Sequence, residues 1–373
     1  MISHSVGTKN CCGRNAMARG SRSSGSRCRG FSLPELLISM AVLTVIAGGV
    51  ISIISYNQQT FGQTELQSDM YENVRAVAEL MAQEIGQAGF VDLPGMPAGG
   101  PTLSGGVTFN STTATTVAVS STTSMYVGEI LLVDAGTNEE PVTLTAVTST
   151  SISATSLLSG NYPAHASGAV IHAVGVSPNG IVSPVYTATT SSTLGSVPCV
   201  TVPTGVTNTA TDGSTCNVLN LWGDLNSDGS LEYVRYTFNT PATATATGTL
   251  TRSVTTITPG ANTISTSQTL LSTLIQNPPN SALASPYNSY PAPCLQYDLS
   301  TQAINGLTYN IIANIGLTIS VQSLKPNPIT GKYLKMTKSF LDLSPRNILA
   351  GYEQANWGDA TRLQAMPPNV TLY

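Results

Sequence analysis

The chain has 373 residues, a formal net charge of −4 and only 9% charged side chains, against about 25% in ordinary soluble domains. This composition fits an exported protein better than a cytosolic enzyme. The charge is uneven, because residues 1–30 contain six basic side chains and no acidic one. The remainder has nine basic and 19 acidic residues, which disfavours nucleic acid as a partner.

An apolar run begins just after the basic segment. Residues 36–54 carry no charge, and as a helix these 19 residues would be about 28 Å long, enough for a bilayer core. Basic residues before such a run keep the N-terminus in the cytoplasm. The sequence therefore predicts one membrane span with its C-terminal bulk exported. A cleaved secretory signal and an ordinary anchor are the alternatives.

The helix is predicted to continue beyond the apolar run as an amphipathic helix. Nothing between Ile54 and Leu66 clearly breaks it, so one helix of about 59 residues, from Phe31 to Gly89, is expected. Its second half should lie against a globular head, which neither alternative explains. Spacings of three and four residues define one apolar stripe: Leu66, Met70, Val74, Val77, Met81, Ile85 and Ala88.

Glu35 is a lone carboxylate at the head of the apolar run, where it would cost about 3 kcal/mol unless paired. The stretch RGFSLPELL, with its basic leader and amphipathic continuation, resembles the type IV prepilin signal. The resemblance implies that prepilin peptidase cuts after Gly30 and methylates the new amine of Phe31. It also implies that Glu35 pairs with the amine of a neighbouring subunit during assembly. The leader is long for this family, and Met17 is an alternative start.

Two further segments, ELMAQEIGQAGF and SPRNI, resemble minor pilins or the large pseudopilins of type II secretion rather than major pilins. The resemblance implies an inner-membrane precursor, anchored by residues 31–54, that passes to a periplasmic or extracellular filament. Its partners would be other pilins or pseudopilins, prepilin peptidase and the inner-membrane assembly platform. Small residues would let neighbouring helices approach closely: Ser39, Ala41, Ala47, Gly48 and Gly49.

The expected domains are a cleaved leader (1–30), the long helix (31–90) and a head (91–373). The head changes to short β-branched runs between Gly, Pro and Asn, so an α+β fold with a β-rich, pilin-type head is predicted. Residues 107–174 resemble small β-modules of phage and cell-surface proteins and predict an insertion. The alternatives are that they are further strands of one head, or, if the protein is a filament-tip adhesin, its contact surface. The alternation of Val142, Leu144 and Ala146 predicts a strand there.

A later segment, VLNLWGDLNSDGSLEYVRYTF, predicts two strands around a loop, with Val234, Tyr236 and Phe238 on one face. The loop has Gly229 at its sharp turn, but Arg235 stands where a calcium loop usually has its final glutamate. A metal-free hairpin loop is the alternative to a Ca²⁺ site. The spacing of a calcium loop gives these candidate ligands: Asp224, Asn226, Asp228, the Ser230 carbonyl and Glu232.

Cys199 and Cys216 bracket a loop whose closure by a disulfide would contribute about 3 kcal/mol in the chain-entropy model. Cys294 would be left over or replace either cysteine. His165 and His172 are predicted to be surface or turn histidines. The sequence has no hydrolase, P-loop or metalloprotease motif, so we expect no enzyme.

The C-terminal segments GLTYNIIANIGLTISVQSL and GKYLKMTKSFLDL predict the closing strands of the sheet. A nucleic-acid contact is the less favoured interpretation of the lysines in this region. We expect them to protect an edge strand from unwanted pairing: Lys325, Lys332, Lys335 and Lys338.

Overall fold

The structure is a computed structural model, and it forms two compact units, Met1–Gln58 and Gln59–Tyr373. The leader and Phe31 lie outside the described residues. The structure describes residues 32–93, 99–173, 175–182, 193–194, 197–201, 214–241, 246–257, 264–279, 289–304, 307–358 and 362–368.

The first helix, α1, runs from Leu33 to Gln87 and has 55 residues, two fewer at each end than the sequence predicts. Pro34 lies in its first turn, where a missing N–H has no helical partner to lose. In the first unit the large apolar side chains of α1 are exposed, and the helix is long and apolar enough to cross a membrane. The predicted single long helix is therefore confirmed.

The chain leaves α1 through Gly89, which has a φ of +80°. A Cβ at this position would lie 2.5 Å from the carbonyl oxygen of Ser177, so the site requires glycine for space as well as for conformation. The Gly89 amide donates to the carbonyl of Trp222 at 2.8 Å. The end of the helix is thereby fixed to the strands that follow.

The first part of the head contains a five-stranded antiparallel sheet in the order β3-β6-β5-β4-β8, called the module sheet below. Three two-stranded pairs accompany it: β1 with β9, β2 with β7 and β10 with β11. The strands are β1 Phe90–Val91, β2 Val107–Thr108, β3 Thr115–Ala118, β4 Ile130–Val133, β5 Glu140–Val147, β6 Ser151–Ser156, β7 Ala164–His165, β8 Ile171–Ala173, β9 Gly175–Val176, β10 Thr193–Leu194 and β11 Val197–Pro198.

The second part of the head forms an eight-stranded sheet, called the core sheet below. Its order is β12-β17-β18-β16-β15-β14-β13, with β19 paired to β18, and only the short β12 pairs in parallel. A second helix, α2 (Arg346–Asn356), follows it and was not predicted. The strands are β12 Val200–Thr201, β13 Val218–Gly223, β14 Glu232–Asn239, β15 Gly248–Thr256, β16 Ile264–Leu274, β17 Leu295–Ile304, β18 Leu307–Pro326 and β19 Tyr333–Leu343.

The main apolar core lies between the second half of α1 and the core sheet. Val234, Tyr236 and Phe238 of β14 are all buried there, which confirms their predicted shared face. Of the predicted stripe, Leu66 is half-buried. The others are buried in this core: Met70, Val74, Val77, Met81, Ile85 and Ala88.

A second apolar core fills the module sheet and extends to the core sheet through Trp222, Leu231 and Tyr233. Val142 and Leu144 are buried in it as predicted, but Ala146 is exposed. The pairing of β5 with β6 shifts register between Leu144 and Ala146, and this irregularity turns the next side chain outward. The expectation that all three residues share one face was therefore wrong at Ala146.

The segment after α2 joins the two sheets. Leu363 forms a parallel bridge with Val176. The Gln364 side chain accepts a hydrogen bond from the Ile130 amide and donates one to the Ile130 carbonyl, both at 2.8 Å. One side-chain amide thus takes the place of a neighbouring strand at the edge of β4.

Candidate functional site

The start of α1 is the segment on which processing and assembly would depend. The predicted cleavage residues Gly30 and Phe31 lie outside the described residues. Glu35 Oε2 accepts hydrogen bonds from the amide and the hydroxyl of Ser32, at 3.3 and 3.2 Å. This is the backward-reaching half of a capping box, so the carboxylate stabilises the helix start while it remains exposed.

Sequence reasoning missed this contact, although the spacing of Ser32 and Glu35 contains its signal. The small residues that follow are exposed, as close packing between subunits would need. A Cβ added at Gly48 or Gly49 would meet no atom within 4 Å. This stretch of α1 therefore presents an open apolar surface to any neighbouring helix.

A buried charged cluster lies on the second half of α1. Glu84 is 5% exposed and receives hydrogen bonds from Tyr236 of β14 and from both the Nε and a terminal nitrogen of Arg252 of β15. Burial raises the pKa of the Tyr236 hydroxyl, so it stays a neutral donor. Sequence reasoning missed this cluster, because an acidic residue beside an apolar stripe is normally solvated.

We expect Glu84→Gln to destabilise the head by about 3 kcal/mol, because it leaves the guanidinium of Arg252 partly buried without its counter-charge. Glu79→Gln is the matched control, since its pair with Arg75 is 63–64% exposed and should contribute only about 0.3–0.5 kcal/mol. Urea unfolding of the full chain in detergent, followed through the fluorescence of the buried Trp222, measures both. Equal losses in the two variants would contradict a stabilising role for the cluster.

The structure brings the candidate calcium ligands together in the turn between β13 and β14. Asp224 Oδ1 accepts the Asp228 amide at 3.1 Å, and its Oδ2 accepts the Gly229 amide at 3.0 Å. The amide nitrogen of Asn226 donates to Asp228 at 2.9 Å. Burial raises the pKa of Asp224, and these backbone donors partly offset the rise.

These hydrogen bonds are those of the metal-free turn, and Ser230 and Glu232 add no described contact to Asp224. Burial, and then Asp228, raise the pKa of Glu232. Across the described part of the chain, no group of three or more His, Cys, Asp or Glu is arranged to hold a metal ion. The calcium site therefore stays a prediction from spacing.

Ser124 holds this turn from the module side. It is buried, has a φ of 66°, donates to the Gly229 carbonyl at 2.7 Å and accepts the Leu231 amide at 3.1 Å. A non-glycine residue in the left-handed region is uncommon, and here both sides of its hydroxyl are used. The Asp224 turn is consequently a joint between the two sheets.

We expect the turn to fold without calcium, because protein donors already occupy both oxygens of Asp224. Titration calorimetry of the full chain with millimolar Ca²⁺ should then give no heat beyond that of the Asp224→Asn variant. A saturable heat with a Kd of about 0.1–1 mM, absent from the variant, would instead establish the calcium site.

Cys199 and Cys216 form a disulfide in the structure, with their Cα atoms 5.5 Å apart. Cys294 is free and buried, and its thiol accepts a weak hydrogen bond from Asn277 at 3.6 Å. Burial raises the pKa of Cys294 to about 12, so it stays a protonated thiol at neutral pH. It therefore behaves as a core residue.

His165 is buried, so the prediction of a surface or turn histidine was wrong for this residue. Its Nε2 lies 2.7 Å from Glu140 Oε2, and its Nδ1 lies 3.4 Å from Asp134 Oδ2. The ring also contacts Phe109 at a centroid distance of 5.9 Å. Carboxylates on both sides explain how an imidazole is tolerated inside the module. His172 lies on β8 and is half-buried.

The predicted closing strands correspond to β18 and β19. Among the described strands β19 pairs only with β18, so it is an edge strand, as the lysines suggest. Lys338 lies over the ring of Tyr71 on α1, 4.9 Å from its centroid. That lysine therefore stabilises the contact between sheet and helix as well.

The N-terminal region matches the family described as "Prokaryotic N-terminal methylation motif" over residues 25–51. That range contains Gly30, Phe31 and Glu35, so the resemblance to type IV prepilins is confirmed at this level. Motif and apolar helix together support a precursor of the type IV pilin or pseudopilin type, which fits inner-membrane anchoring before assembly. They point to a structural subunit rather than an enzyme. No curated protein and no solved structure is significantly similar to the chain.

Proposed function

We propose that the protein is a minor type IV pilin, cut after Gly30 by prepilin peptidase and built into or priming a pilus. The observation that carries this proposal is one continuous helix that joins the methylation motif to a large head. A bare anchor would need no apolar stripe packed on a sheet, and a cleaved signal would not continue as α1. A type II secretion pseudopilin is the alternative, since it would carry the same motif and helix.

In this proposal Glu35 has two successive roles. Before cleavage its carboxylate caps the helix through Ser32. Cleavage would create an α-amine at Phe31, and an exposed carboxylate in an apolar helix favours any arrangement that pairs it. A neighbouring subunit in the filament would supply the partner amine. Residues 31–54 would hold the precursor in the inner membrane until then.

The experiment is mass spectrometry of the cell-associated protein and of sheared filaments, for the wild type and for Glu35→Gln. We expect both proteins to begin at methylated Phe31, but only the wild type to appear in filaments, because glutamine cannot pair with the amine as a charge. Glu65→Gln, an exposed carboxylate later in α1, is the matched control and should assemble normally. A mature N-terminus other than Phe31 would refute processing, and normal assembly of Glu35→Gln would refute the pairing.

The module favours a second candidate, a filament-tip adhesin. We infer that residues 107–174 are an insertion, because none of them contributes to the described core between α1 and the core sheet. That core should therefore persist without the module, although Trp222 and Leu231 would lose contacts. Deleting residues 107–174 should then abolish attachment of cells to a surface while filaments still form. Unchanged attachment would contradict the adhesin.

A further inference from the structure

The turn that connects β18 to β19 forms a projecting tip, defined here as residues 324–333. Asn327 organises it from within: its amide donates to the Lys332 carbonyl at 2.8 Å, and its side-chain oxygen accepts the Ile329 amide at 2.8 Å. The Gly331 amide closes the turn on the Asn327 carbonyl. Asn327 itself is buried, so the tip is a built structure whose outer side chains are held in place.

The outer side chains of the tip are apolar and basic. Leu324 is 73% exposed, Ile329 44% and Tyr333 50%. Lys325 and Lys332 flank them, and residues 324–333 contain no acid. Exposed aliphatic groups beside lysines and a tyrosine are typical of surfaces that meet a membrane interface.

Acidic side chains do not neutralise these lysines. Glu65 and Asp69 of α1 line the same groove of about 490 Å³ as Lys325. However, the described carboxylates form no ion pair with Lys325 or Lys332. Both ammonium groups are therefore available to an external anion.

The contacts of the hairpin with α1 fix the direction in which the tip points. Pro328 lies 3.5 Å from the position of a Cβ on Gly62, near the start of the second unit. Further along the hairpin, Lys338 lies over Tyr71, nine residues later in α1. The tip therefore lies at the end of the head from which α1 continues toward its apolar run.

The length of helix between the tip and the apolar run is short. Gly62 follows Ile54 by eight residues, which is about 12 Å of α-helix. The headgroup layer adds about 5–8 Å to each side of the hydrocarbon core, and charges act over about 8 Å at physiological salt. Phe61, 74% exposed, lies at the same level. Lysine side chains at the tip are thus within reach of lipid phosphates.

We propose that this tip binds the anionic headgroup surface of the membrane that holds the precursor. Leu324 and Ile329 enter the headgroup layer, and Lys325 and Lys332 contact lipid phosphates. This inference rests on the proposed membrane anchoring. It adds a contact between the head and the lipid that an unassembled subunit makes and that extraction into a filament must break.

Amine footprinting of the full chain in nanodiscs tests this contact. Acetylation of each lysine by a membrane-impermeant reagent is followed by mass spectrometry, in phosphatidylcholine alone and in a mixture with phosphatidylglycerol. We expect Lys325 and Lys332 to react about fivefold more slowly in the anionic discs, as expected for a lysine held at an anionic surface. Lys338, which lies on the Tyr71 ring, is the internal control and should change little.

A double variant, Leu324→Ser with Ile329→Ser, should lose this protection. Its matched control is Val127→Ser with Leu157→Ser, which replaces two similarly exposed apolar residues of the module and should keep it. Equal lysine reactivity in both lipid mixtures would overturn the inference. Protection that needs an added pilin and is independent of lipid charge would assign the tip to a protein contact and also overturn it. Failure of the chain to enter nanodiscs would refute the anchoring itself.

Discussion

The burial of Glu84 beside Arg252 is the constraint around which the head is organised. A carboxylate can leave water only if hydrogen bonds and a counter-charge replace its hydration. Here the replacements come from two adjacent strands, β14 and β15, so only one placement of the helix on the core sheet satisfies the carboxylate. The apolar stripe supplies most of the buried area, but area alone would allow the helix to slide. The charged cluster sets the register.

That register has consequences along the rest of the chain. Because α1 is fixed on the core sheet, Gly89 must turn the chain sharply to reach β1, and it does so against the backbone of Ser177 and Trp222. The module then follows, and its apolar core continues onto the reverse side of the same strands. Tyr233 and Val234, neighbours in β14, face the two cores in turn. One strand thus serves both halves of the head.

Features with a period in the sequence were predictable, and features that depend on distant partners were not. The stripe on α1 and the shared face of Val234, Tyr236 and Phe238 follow from spacing alone. The burial of His165 depends on Glu140, 25 residues away, and that of Glu84 on strands more than 150 residues later. Ala146 failed because a local shift in strand register cannot be read from alternation. For the candidate site, spacing gave Glu35 its prepilin role, while its bond to Ser32 went unnoticed.

The position of the Glu84 cluster also matters for mechanics. A subunit held in a filament through the first half of α1 receives tension along that helix, and the tension must pass into the head. Apolar contacts along the stripe resist sliding weakly because each one can be exchanged for the next. Glu84 lies three residues before the end of the helix and is bonded across two strands. Pulling the helix out would strip a carboxylate from its partners before water could replace them, so the far end of the helix acts as the mechanical lock of the fold.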